Sequence, residues 1–182
     1  MILNISRSAE AHIKGGKEFP KISGTVTFRE TKDGVLLTAK IYNLPQNNDK
    51  CTGRFFGFHI HEGASCSGNL DDEFADSQMH YNPNNCRHPF HAGDLPVLIE
   101  NNGFAYMSVL VNKFKLKDIV GKVIIIHEMP DDFTSQPSRK FRKENCMWEN
   151  SLKLDTRLDN LVSFLCLLLF LVYSKLLLLV LM

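Results

Sequence analysis

The chain has 182 residues, 44% of them hydrophobic, enough apolar material for one well-buried domain and an appendage. Its 21 basic and 20 acidic residues leave a formal charge of +1, so no global field recruits nucleic acid or an anionic surface, and partners have to be argued from local sites. The five cysteines, Cys51, Cys66, Cys86, Cys146 and Cys166, form no CxxC pair and fit neither a dense disulfide framework nor a zinc ribbon.

The first residues, MILNISRSAEAHIKGGKEF, lack the uninterrupted apolar core of an export signal, and the expected location is the cytoplasm. His12 stands alone in this polar stretch and reads as an ordinary core or surface side chain rather than a ligand. Next, ISGTVTFRETKDGVLLTAKIYNLP alternates: Ile22, Gly24, Val26 and Phe28 share one face, Asp33-Gly34 supplies a turn, and Val35, Leu37, Ala39 and Ile41 share a face again. That pattern predicts a hairpin. RFFGFHIHE (54–62), FAYMSVLV (104–111) and KVIIIHEM (122–129) are further runs rich in β-branched and aromatic residues, with Phe55, Phe56, Phe58 and Phe104 expected in the core. No amphipathic helix is evident before about residue 137. The expected fold is an antiparallel all-β sandwich or barrel with one long polar loop, roughly 62–95, of the length that usually carries function. Within that loop Asp71, Asp72 and Glu73 read as a solvated face.

Composition changes after Ser138. Residues 139–160 are charged and patternless, and 161–182 are apolar except for two serines and Lys175. As a helix the last segment would reach about 33 Å, enough to span a bilayer, so the expected organisation is a β domain over 1–138, a charged linker over 139–160 and a hydrophobic helix over 161–182, read either as a membrane anchor or as the out-of-frame product of A/T-rich DNA.

The histidines carry the chemistry. On a strand, residues two apart point the same way, so His59 and His61 project together. A buried pair of neutral imidazoles without partners is costly, whereas a metal accepts both as ligands. The loop then offers His80, His88, His91 and Asp94, the last three at intervals of three, and three histidines with a carboxylate suit tetrahedral zinc. His127 closes the apolar run VIIIH and is a candidate to join the first pair.

GFHIHEGASCSG, HYNPNNCRHPFHAGDLP and VIIIHEMPDDF together resemble the metal-binding segments of copper-zinc superoxide dismutases of bacterial type, over roughly residues 20–138. The resemblance implies a Greek-key β-barrel, copper held by His59, His61, His80 and His127, and zinc held by His80, His88, His91 and Asp94, with His80 bridging the two. It implies that His80 and His127 are catalytic, that superoxide is the substrate, and that Asp131 fixes a copper histidine and a zinc histidine without binding metal. It also implies a disulfide from Cys66 to a cysteine near the C-terminus, for which Cys146 is the candidate, and it leaves a homodimer open.

Beyond DDFTSQPS the family pattern breaks. One codon assignment of Arg139–Asn150, read one nucleotide later, spells Gly-Asn-Ser-Gly-Lys-Lys-Ile-Ala-Cys-Gly-Lys, the segment the family carries at that point. A frameshift after Ser138 is therefore expected, and with it the loss of the channel's basic residue and of the closing strand, leaving a sheet edge open. The rival to an active enzyme is a module that binds copper or zinc and turns over slowly or not at all.

Overall fold

The computed structural model describes residues 7–46, 54–70, 72–131, 133 and 153–154, all within one compact unit, Ser6–Leu154. Eight strands lie among them: β1 (Ser8–Lys14), β2 (Ser23–Thr31), β3 (Gly34–Tyr42), β4 (Phe55–His61), β5 (Leu98–Ile99), β6 (Phe104–Val111), β7 (Val123–His127) and β8 (Lys153–Leu154). They form two antiparallel sheets, β6-β3-β2-β1-β8 and β5-β4-β7. The described residues are all-β, as their alternation predicts, and one four-residue helix, α1 (Leu116–Ile119), and a single 3-10 turn at Ala75–Ser77 are the helical pieces among them.

The β2–β3 hairpin pairs Thr31 with Gly34, so the turn residues are Lys32 and Asp33, one position earlier than Asp33-Gly34. Val26, Phe28, Val35, Leu37, Ala39 and Ile41 are buried on the shared inner face. From the smaller sheet Phe56, Phe58, Ile60, Ile124 and Ile126 join the same cluster, so the two sheets enclose one core. Each fully buried side chain of this size contributes about 1.5–3 kcal/mol relative to leaving it exposed.

Two core expectations need correction. Phe55 and Phe104 are not core residues: Phe55 is exposed and Phe104 half-buried, because the alternation that buries Phe56 turns Phe55 outward. The N-terminal stretch forms β1, whose inward positions are Ala9, Ala11 and Ile13; two of the three are alanines, too small to give a strong alternation signal. The outer edge of β1 is also not wholly open, since Ala9 and Glu10 pair with Leu154 and Lys153 of β8.

The smaller sheet positions the site because β4 and β7 are buried on both faces. One face supplies the main core; the other buries His59, His61 and His127 together with Val123 and Ile125, the latter two clustered with Cys66 and Phe74. Cys146, the linker 139–160 apart from Lys153 and Leu154 of β8, and the apolar stretch 161–182 lie outside the described residues, so the expected disulfide and hydrophobic helix do too. Among the described residues no helix is long and apolar enough to cross a membrane.

Candidate metal centre

His127, Ile125 and Val123 of β7 stand opposite Gly57, His59 and His61 of β4. Directly opposed residues of an antiparallel pair share a face, so the three histidines emerge on the same side. Gly57 is what lets His127 sit there. A Cβ at position 57 would lie 3.2 Å from the His127 Cβ, 3.4 Å from its Cδ2 and 3.3 Å from the Met129 carbonyl oxygen, all tighter than ordinary contact.

The long loop folds back along the other edge of β4 by main-chain bonds. Tyr81 N–H donates to the Ile60 carbonyl (2.8 Å), Ile60 N–H to that of Gly93 (2.9 Å) and Leu95 N–H to that of Phe58 (3.2 Å). Isolated bridges pair His61 with His80 and His59 with Asp94. The loop is thereby an extension of the sheet, and it delivers His80, His88, His91 and Asp94 beside the strand histidines, all four nearly buried.

Two groups result, His59, His61, His80 and His127, and His80, His88, His91 and Asp94, which share His80; within each, the ligand atoms all lie within 4.8 Å of one another. Tetrahedral ligation at about 2.0–2.1 Å separates ligand atoms by about 3.3–3.4 Å, so the spacing suits a single first-row ion in each group. In the first, the Nε2 atoms of His61 and His127 are 3.2 Å apart and the rings of His59 and His80 have centroids 4.0 Å apart. In the second, Asp94 reaches His80 Nδ1 at 2.8 Å, His88 Nδ1 at 3.2 Å and His91 Nδ1 at 3.2 Å, and accepts the His91 main-chain N–H at 2.9 Å.

Asp131 braces both groups at once. Its Oδ2 lies 2.9 Å from His59 Nε2 and its Oδ1 2.6 Å from His88 Nε2. With those nitrogens engaged, His59 Nδ1 is left buried without a hydrogen-bond partner, and His88 Nδ1, also buried, has only the 3.2 Å approach of Asp94, which lacks hydrogen-bond geometry. Such an atom is costly unless something unseen satisfies it, and each belongs to a residue of one group. The donor set fits two metals on this ground.

The protonation states agree. Burial, against the opposing hydrogen bond from Asp131, lowers His59 to about 3. Burial first, and then the neighbouring His127 and His80, holds His61 well below the usual imidazole value; burial first also lowers His80. Burial alone would raise Asp94, but the His80 hydrogen bond and the surrounding imidazoles outweigh it and leave Asp94 at about 2. Burial is likewise overcome at Asp131, held below the carboxylate range by hydrogen bonds from His59, His88 and the Phe133 N–H. Neutral imidazoles beside ionised carboxylates are the forms that ligate metal near neutral pH.

His12 lies away from both groups, half in solvent and 3.2 Å from Glu10, as expected of an isolated histidine. Asp72 caps the turn below Phe74, and Glu73 pairs with Lys17 at 3.6 Å. Cys66 is buried and Cys86 exposed. Three contributors escaped the sequence reading. Gly57 was signalled only as a glycine inside a strand, which often marks close approach. Lys113 donates from Nζ to the main-chain carbonyls of His91 (3.2 Å) and Asp94 (3.4 Å), and Gln78 offers its carbonyl to His61 Nδ1 at 3.0 Å. Both act on or through main chain, and no side-chain motif announces that.

An antiparallel β-sandwich carrying two adjoining histidine-rich groups with one shared imidazole defines a binuclear metalloprotein. Comparison with known families gives the narrower answer: the family model for copper/zinc superoxide dismutase (SODC) matches residues 22–146, and the chain belongs to that family. Its curated relatives include the Cu-Zn superoxide dismutases of Legionella pneumophila, 34% identical over 125 residues (65% of this chain, 70% of the relative), and of Photobacterium leiognathi, 32% identical over 126 residues (63% and 69%). A second Cu-Zn superoxide dismutase of Aquifex aeolicus is 29% identical over 156 residues, covering 75% of this chain and 86% of its own length.

Proposed function

We propose that this chain is a superoxide dismutase in which His59, His61, His80 and His127 hold copper and His80, His88, His91 and Asp94 hold zinc. One observation carries the assignment: a single carboxylate, Asp131, engages one nitrogen of His59 and one of His88 and leaves the other nitrogen of each buried without a hydrogen bond, His59 Nδ1 in the first group and His88 Nδ1 beside Asp94 in the second. Bound there, copper supplies the one-electron redox change that oxidises one superoxide to dioxygen and reduces a second to hydrogen peroxide. The protein's part is orientation and proton handling. Asp131 holds the His59 proton at Nε2, and the Gln78 carbonyl holds the His61 proton at Nδ1, which presents the remaining nitrogen of each to copper. His80 gives Nδ1 to the Asp94 side, and its Nε2 is the position that takes and returns a proton between the two half-reactions. Lys113 and Asp94 keep the zinc loop in place.

The Greek-key connection of the family is supported by β6 returning beside β3 after β4 and β5 in the other sheet. Cys66, buried against Phe74, Val123 and Ile125, is the anchor of a loop disulfide to Cys146 in this reading. Composition supports a frameshifted segment after Ser138 and a membrane contact through 161–182, while the compact unit itself continues to Leu154, whose strand pairs with β1.

Metal analysis of the purified protein and a superoxide-consumption assay, each repeated on His127→Ala, test the function. The parent is expected to hold both metals and to consume superoxide, and the variant to lose copper and activity while keeping zinc. Stoichiometric metal in the parent without superoxide consumption would establish the rival reading, a metal-binding module.

A further inference from the structure

The turn that carries the loop into the metal centre contains a conformation its sequence does not suit. Gln78 has φ 62° and ψ −153°, a backbone region that essentially only glycine occupies, because there any Cβ crowds the main chain. Its side chain is exposed.

Three consecutive carbonyls at this turn all serve the end of β4. That of Ser77 accepts the Gly63 N–H (2.8 Å), that of Met79 accepts the Glu62 N–H (2.8 Å), and that of Gln78, between them, accepts the His61 Nδ1–H (3.0 Å). The Gln78 N–H closes the preceding 3-10 turn on the Ala75 carbonyl at 3.2 Å. Close approach of the two segments is built in, since a Cβ on Gly63 would collide with the Asp76 carbonyl oxygen at 2.0 Å. With residues 77 and 79 pinned by main-chain bonds, only the peptide between them is left to turn toward the imidazole. His61 is fully buried, so this acceptor determines which of its nitrogens carries the proton and leaves Nε2 as the lone pair facing His127 Nε2, 3.2 Å away.

We infer that Gln78 is a positioning residue for the copper histidine His61, acting through its main-chain carbonyl, and that the chain holds it there against backbone strain. The copper part of this inference rests on the proposed function; the strain part does not. Two substitutions separate the elements. Gln78→Gly removes the strain and keeps the carbonyl, so the metal-free protein is expected to melt about 2–8 °C higher, after allowing for the looser unfolded chain, with the Cu(II) visible and EPR spectra of the parent. Gln78→Val puts a β-branched side chain where φ is positive and drives the peptide out of that conformation. It is expected to bind copper at least tenfold more weakly with altered Cu(II) spectra, while zinc affinity stays within threefold.

A Gln78→Gly melting temperature equal to or below the parent's overturns the strain, and this arm decides even if Gln78→Val does not fold. A folded Gln78→Val with the parent's copper affinity and spectra overturns the positioning role. A parent that takes up zinc and no copper refutes the copper reading instead, and the metal-free melting comparison still stands.

Discussion

Replacing Asp131 removes the one group that touches both halves of the centre. Its two oxygens engage His59 at 2.9 Å and His88 at 2.6 Å, and hydrogen bonds to a charged partner each contribute about 1.5–3 kcal/mol. Loss of an outer partner that orients a ligand typically weakens a metal about 10–100-fold, or about 1.4–2.7 kcal/mol. In Asp131→Ala both rings are released, so copper and zinc should weaken together by that factor. Asp131→Asn is more discriminating. An amide offers one oxygen acceptor and one N–H donor, so the histidine that meets the amine must accept at Nε2 and carry its proton at Nδ1, the atom that should ligate. One metal is then weakened and the other kept. The measurement is competition titration of each metal against a chromophoric chelator, with metal content determined independently and circular dichroism confirming the β fold. An Asp131→Ala protein that keeps both affinities, or loses one alone, would refute the shared-brace reasoning.

Two further outcomes follow from the same geometry. Gly57→Ala places a methyl against the His127 ring and the Met129 carbonyl, and should cost about 1–3 kcal/mol of stability and weaken copper about tenfold while sparing zinc; copper titration and chemical denaturation check this, and parent-like copper binding would count against it. Acidification should destabilise the metal-free protein. His59, His61 and His80 have lowered folded values, so below pH 6.5 the unfolded chain takes up protons that the fold refuses, and stability falls by up to about 1.4 kcal/mol per pH unit for each. Asp94, at about 2 when folded, loses its stabilising contribution as pH drops below about 4, extending the decline. Melting curves of chelator-treated protein should be level above pH 7.5 and fall steeply from pH 6.5 to 5; a flat profile across that range would contradict the neutral buried cluster.

Much of this was written in the order of the residues. Strict alternation at Val35, Leu37, Ala39 and Ile41 specifies a strand with one buried face, because side chains on a pleated backbone alternate whatever the surroundings. The pair His59 and His61 announces itself by the same rule, and the loop histidines by being too many at short spacing to be bystanders. Tertiary structure decided what no local pattern encodes. Whether Phe55 or Phe56 faces the core depends on which face of β4 meets the other sheet. The Ala9 and Ala11 positions of β1 become visible only when β2 lies beside them. That His59 and His88 meet one carboxylate from beyond β7, that Gly57 makes room for a ring on the neighbouring strand, and that the Gln78 carbonyl faces His61 all depend on contacts between segments far apart in the chain or on main-chain atoms. Those atoms are the same in every residue, so a sequence records which side chains are available but not where the peptide groups between them will point.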